Sequence, residues 1–91
     1  MKLWMRVGDG GGYEEIESAQ EVADALGPLG VGTVERYGEF GIQGDGFLGP
    51  YNYISLYWGD DDANGEESVD DEFIAQINSA LDHYFKTGAF A

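Results

Sequence analysis

The run at residues 51–58, Tyr-Asn-Tyr-Ile-Ser-Leu-Tyr-Trp, constrains this chain most. Side chains along a strand alternate between two faces, so Tyr51, Tyr53, Ser55 and Tyr57 share one side. Asn52, Ile54, Leu56 and Trp58 share the other. The Ile-Leu-Trp face is the better core candidate, and the tyrosine row reads as a half-exposed contact stripe or as packing beneath the loops. Any fold must therefore contain a sheet with one strongly apolar face. With 91 residues there is room for one modest core. There is no cysteine, so neither disulfide nor thiolate metal site can reinforce it, and no catalytic thiol exists.

Other segments supply the partners. Residues 2–7 alternate, with Leu3, Met5 and Val7 on one face and Lys2, Trp4 and Arg6 on the other, which predicts a short strand. Gly8-Asp9-Gly10-Gly11-Gly12 ends it, and an acidic loop to about Glu17 follows. Ser18-Ala19-Gln20-Glu21 is a capping box opening a short helix, with Ala19, Val22, Ala23, Ala25 and Leu26 on its apolar side and Gly27-Pro28 as its stop. Residues 31–42 carry Val31, Val34, Tyr37, Phe40 and Ile42 and read as one long strand or two short ones, bent near Gly38 and Gly41. Residues 59–68 read as an acidic loop. Ser68 is the expected cap of a second helix, whose apolar stripe is Phe73, Ile77, Ala80, Leu81 and Tyr84, widened by Ile74 and Phe85. Gln76, Asn78, Asp82 and Lys86 are expected to face water.

The expected class is α+β: a small antiparallel sheet with two helices packed on one face, in the order β-α-β(β)-β-α. A ferredoxin-like arrangement without its final strand is one option. Residues 1–87 form the single expected domain, and 88–91 a frayed tail.

Charge narrows function. Eighteen Asp and Glu oppose four Lys and Arg, a net charge of −14. Such a field repels phosphate backbones and anionic membranes and attracts basic protein surfaces and cations. No apolar stretch is long enough to span a bilayer and no secretion signal is visible, so cytoplasmic residence is the expectation. Enzymatic chemistry finds little support. His83 is the one histidine, and its sequence neighbours do not face it across a helix. The glycine run after the first strand lacks the spacing and the lysine of a phosphate loop.

Two constellations remain. Counted from Asp60, residues 60–71 place oxygen ligands Asp60, Asp62 and Asn64 at the first, third and fifth positions of a loop resembling the EF-hand calcium loop, with Gly65 at its sharp turn. The Glu66 carbonyl and Asp71 would complete the calcium set. Glu67 stands where an apolar residue belongs, and Asp71 where a bidentate Glu does. The other constellation is the acidity itself. Residues 9–24 hold Asp9, Glu14, Glu15, Glu17, Glu21 and Asp24, and residues 60–72 hold Asp60, Asp61, Asp62, Glu66, Glu67, Asp70, Asp71 and Glu72, with no basic residue in either stretch. If the two helices lie side by side, these clusters approach each other and their summed field resembles phosphate rows.

In size, acidity and tyrosine content the chain resembles small phage-encoded inhibitors of host defence, the anti-CRISPR and anti-restriction proteins, several of which mimic nucleic acid. The likeness is one of composition and general organisation, and it implies binding to a basic, nucleic-acid-handling protein. The expected contact comprises Asp60, Asp61, Asp62, Glu66 and Glu67, supported by Glu14, Glu15 and Glu17 and by Tyr53 and Tyr57. The alternative is a small calcium-binding or salt-adapted structural protein, and the exposed aromatics are equally compatible with a homodimer.

Overall fold

Strand β1 (Lys2–Val7) buries Leu3 and Met5 and half-buries Val7, as its alternation requires. The computed structural model describes residues 1–8, 12–45, 53–61 and 67–87. Tyr51, Asn52, Asp62, Asn64, Glu66 and the tail at 88–91 lie outside these. The chain then runs through β2 (Glu14–Ile16), α1 (Ala19–Leu26), β3 (Thr33–Arg36), β4 (Gly41–Asp45), β5 (Tyr53–Gly59), β6 (Glu67–Ser68) and α2 (Asp71–Thr87).

The strands form one antiparallel sheet in the order β2-β1-β5-β4-β3, with β6 attached to β5. β5 is its centre. Along one side it pairs β1 from Lys2↔Gly59 to Val7↔Ile54. Its other side is shared end to end, β4 pairing up to Ser55 and β6 taking Tyr57 and Trp58. The Ser68 hydroxyl donates to the Glu39 carbonyl and joins β6 to the β3–β4 turn.

This is the α+β class with both helices on one face of an antiparallel sheet. Leu3, Met5, Ile16, Val34, Ile42, Ile54 and Leu56 of the sheet join Val22, Ala23, Leu26, Ile74, Ile77 and Leu81 of the helices in one buried cluster. The order differs from the expected one by two strands, β2 and β6, both within stretches expected to be acidic loops. Ile16, only 7 % exposed, anchors β2. A single inward side chain leaves no period to read. The arrangement is not ferredoxin-like either, since two strands precede the first helix and four, β3 to β6, lie between the helices in sequence, where that fold has one and two.

Residues 31–42 resolve into two short strands, β3 and β4, around a turn in which Gly38 takes φ +69°, a left-handed conformation that glycine adopts freely. In α1 the Ser18 hydroxyl accepts from the Glu21 N–H at 3.3 Å, while the Glu21 carboxylate accepts from the N–H of Glu17 at 3.0 Å, one residue outside the cap. Gly27 does not stop the chain. It is still right-handed, a 3-10 turn (Gly27–Leu29) continues the helix, and the left-handed residue is Gly30 at φ 86°. Gly27 answers a different demand, because a Cβ there would stand 2.7 Å from the Tyr84 ring.

The cap of α2 is Asp70, not Ser68: Asp70 Oδ1 accepts from the Phe73 N–H at 2.8 Å. Ile74, Ile77, Leu81 and Tyr84 are buried, whereas Phe85 is 51 % exposed and does not widen the stripe. Asn78 does not face water. Its side chain accepts from the Val34 N–H at 2.7 Å and donates to the Val34 carbonyl at 2.9 Å.

Candidate functional site at the acidic end of the sheet

Registers and helix directions decide where the carboxylates go. Lys2 opens β1 opposite Gly59, the last residue of β5, and Leu3 stands opposite Ile16, the last residue of β2. Asp60 and Glu17 therefore leave the sheet at the same end with only β1 between them. Antiparallel spacing puts their strands about 10 Å apart. Glu67 opens β6 at that end, paired with Trp58, and the β3–β4 turn brings Glu39 there.

The helices add their first turns. Chain direction takes α1 from the end of β2 to the start of β3, away from the acidic end. In α2, Asp71 meets Arg36 while Asn78, further along, meets Val34, so α2 descends β3 in the same sense. Close contact between Gly27 and Tyr84 joins their C-terminal parts. The helices are thus side by side and parallel, and Glu21 together with Asp70, Asp71 and Glu72 crowns the end where Glu17, Asp60, Asp61 and Glu67 stand. The topology thus brings Glu17 and Glu21 of the first acidic stretch to the same end as Asp60, Asp61, Glu67, Asp70, Asp71 and Glu72 of the second, while Asp24, late in α1, lies toward the other end. The partial positive charge of both helix N-termini eases the repulsion among these groups.

Two cations stand within this end. Lys2 lies 3.4 Å from Glu15, and Arg36 lies 2.9 Å from Asp71 and donates to the Val69 carbonyl at 2.6 Å. Lys86 pairs with Asp82 near the far end of α2, and Arg6 lies over the Tyr13 ring, 5.1 Å from its centroid. Asp60, Asp61, Glu67, Glu14, Glu15 and Glu17 are all exposed. Asp62 and Glu66 fall outside the described residues.

The helix-free face of the sheet carries rings. Trp4 and Tyr57 face each other across β1 and β5, and Trp4 donates its indole N–H to the Gly59 carbonyl at 3.2 Å. Tyr57 packs against Tyr13 at 5.7 Å and Phe40 at 5.9 Å and is 5 % exposed. It therefore offers a partner little surface, contrary to its expected place in a contact stripe. Tyr53 is half-buried and meets the ring of Tyr37 edge-on at 5.2 Å, and Tyr37 is 53 % exposed. Gly41 makes this pair possible, because a Cβ there would stand 2.5–2.6 Å from Tyr53. Sequence pattern pointed to Tyr53. It did not single out Glu35, Glu39 or Phe40, whose neighbours are set by the hairpin register; a glycine opposite an aromatic strand was the available signal.

For the calcium set, Asp60 follows β5 and Asp71 holds Arg36, while Asp62, Asn64 and Glu66 lie outside the described residues. Among the described residues no three or more His, Asp or Glu side chains are grouped to hold a metal ion. No helix among them is long and apolar enough to cross a membrane. No protein-family model matches this chain, and neither a curated protein nor a solved structure matches it significantly.

Proposed function

We propose that this chain is an acidic interaction module that occupies a basic protein surface, of the kind that otherwise holds nucleic acid, and blocks it. The observation that carries this reading is the gathering of Glu17 and Glu21 from the first acidic stretch with Asp60, Asp61, Glu67, Asp70, Asp71 and Glu72 from the second at one end of the sheet by β2, β6 and the parallel helices. Strands two positions removed, about 10 Å apart, carry carboxylates at a spacing on the scale of a nucleic-acid groove, which is about 6 Å across in the minor and 12 Å in the major groove of B-DNA. A net charge of −14 adds long-range attraction toward a basic partner. Tyr37, in the β3–β4 turn, adds an exposed ring of the kind that gives such pairing specificity, and it is held against Tyr53 from the opposite end of β5.

The test is affinity capture from host lysate at about 0.15 M and again at about 0.5 M salt, which shortens the reach of charge. The tagged protein is compared with a variant carrying Glu15→Gln, Glu17→Gln, Asp60→Asn, Asp61→Asn and Glu67→Gln. The reading expects one nucleic-acid-binding protein, near stoichiometric, retained at the higher salt and lost from the variant. A broad set of basic proteins that disappears at the higher salt would overturn it.

A further inference from the structure

Resting on that reading, we infer that the Tyr37–Tyr53 pair is the seat for an arginine side chain of the basic partner. Three features of the helix-free face lead there. First, Tyr37 is 53 % exposed, and it is fixed edge-on against Tyr53 instead of lying loose on the surface. Tyr53 in turn lies over Gly41, whose missing side chain provides the space.

Second, two exposed carboxylates belong to the hairpin that carries the Tyr37 ring. Register places Glu35 opposite Gln43 and Gln43 opposite Tyr53, so Glu35 shares a rung and a face with Tyr53. Glu39 follows Tyr37 in the turn, whose Tyr37 N–H donates to the Gly41 carbonyl at 3.0 Å. Both Glu35 and Glu39 are exposed. A planar guanidinium can stack on a tyrosine ring while its N–H groups reach a carboxylate beside it; a lysine ammonium, a compact and strongly hydrated point charge, matches this arrangement less well.

Third, the same face already holds one such contact, Arg6 over Tyr13 at 5.1 Å, so guanidinium-on-tyrosine geometry is compatible with this sheet surface. A second copy of the chain is a poor occupant, because two bodies of charge −14 repel.

The test uses oligo-arginine and oligo-lysine peptides of equal length, with dissociation constants measured at about 0.15 M salt. The wild type is expected to bind the arginine peptide about two- to five-fold more tightly than the lysine peptide, the size of one exposed cation–π contact. Tyr37→Leu, which keeps an exposed apolar side chain but removes the ring, should bring that ratio to about one by weakening the arginine peptide alone. Gly41→Ala, which displaces Tyr53, should do the same in a protein shown by circular dichroism to be folded. Neutralising Glu17, Asp60 and Asp61 to their amides should weaken both peptides and leave the ratio intact.

Equal binding of the two peptides by the wild type, or a preference that survives Tyr37→Leu, overturns the arginine seat. In either case the acidic-end reading stands if its neutralisation still weakens binding. Failure of both peptides to bind overturns both readings. A wild-type dimer in sedimentation that Tyr37→Leu dissociates would assign this face to a second copy and overturn the seat.

Discussion

Asn78 of α2 hydrogen-bonds both backbone groups of Val34 on the edge strand β3, its carbonyl oxygen accepting at 2.7 Å and its amide nitrogen donating at 2.9 Å. A side-chain amide thus does for this edge what a further strand would do, and it also fixes α2 along β3. Uncovered strand edges invite pairing with other chains. Asn78→Leu should lower stability by about 1–3 kcal/mol, the net loss of two half-buried hydrogen bonds. A urea titration would measure this, and a faster rise in light scattering on heating would report the exposed edge. Asn78→Asp keeps only the accepting half and should not restore the wild-type midpoint.

The contact of Gly27 with Tyr84 gives a second test. Gly27 has φ −55°, so alanine is sterically allowed by the backbone, yet its Cβ would stand 2.7–2.9 Å from three ring carbons. Gly27→Ala should therefore destabilise by about 1–3 kcal/mol through overpacking, although alanine normally favours a helix. Combining it with Tyr84→Leu should cost less than the sum of the two single changes, as a double-mutant cycle on melting curves would read.

Assignment of the α2 cap can be checked by substitution. Asp70→Ala should cost about 1 kcal/mol, and Asp70→Asn much less, since an Asn side-chain oxygen can also accept from the Phe73 N–H that Asp70 now holds. Ser68→Ala removes the link to Glu39 instead and should leave the fraying of the first turn of α2 unchanged in amide exchange. Increased exchange at Phe73 in Ser68→Ala would reverse the assignment.

Crowding of like charge at one end predicts an unusual salt response. Added salt should raise the melting temperature of the wild type, because repulsion among Glu17, Asp60, Asp61, Glu67 and the first-turn carboxylates is screened over about 8–10 Å at physiological salt. The variant with Asp60→Asn, Asp61→Asn and Glu17→Gln should melt higher at low salt and respond less steeply. Equal slopes would mean that these groups stand too far apart to interact.

Legibility in the sequence followed element length. β1, α1 and β5 each carry several apolar residues at a regular period, and their inward faces (Leu3 and Met5; Val22, Ala23 and Leu26; Ile54 and Leu56) are buried in the structure, although in β5 Ser55 and Tyr57 of the opposite face are buried as well and Trp58 is only half-buried. β2 and β6 have three and two residues, fewer than a period needs, and their acidic character reads as loop. Asn78 looked like a solvent residue because its partner lies 44 positions away. The cap of α2 was misplaced by two residues because Ser68 and Asp70 are both good caps, and the strand pairing of Ser68 decides between them. The same short strands govern the candidate site. β2 returns the chain to the end where β1 began, and only then does α1 start there, so the meeting of the acidic stretches hinges on the elements least visible in sequence.

The central place of β5 also sets an order of events during synthesis. β1 finds its long partner only when Gly59 has been made, and Trp4 bonds a carbonyl 55 residues downstream. Until then an emerging chain can form little beyond the β1–β2 and β3–β4 hairpins, which are marginal alone. Closing so wide a loop before its contacts are rewarded slows folding. The nascent chain therefore stays open to proteases and chaperones until β5 has joined both halves of the sheet and α2 has brought Ile74, Ile77 and Leu81 onto it.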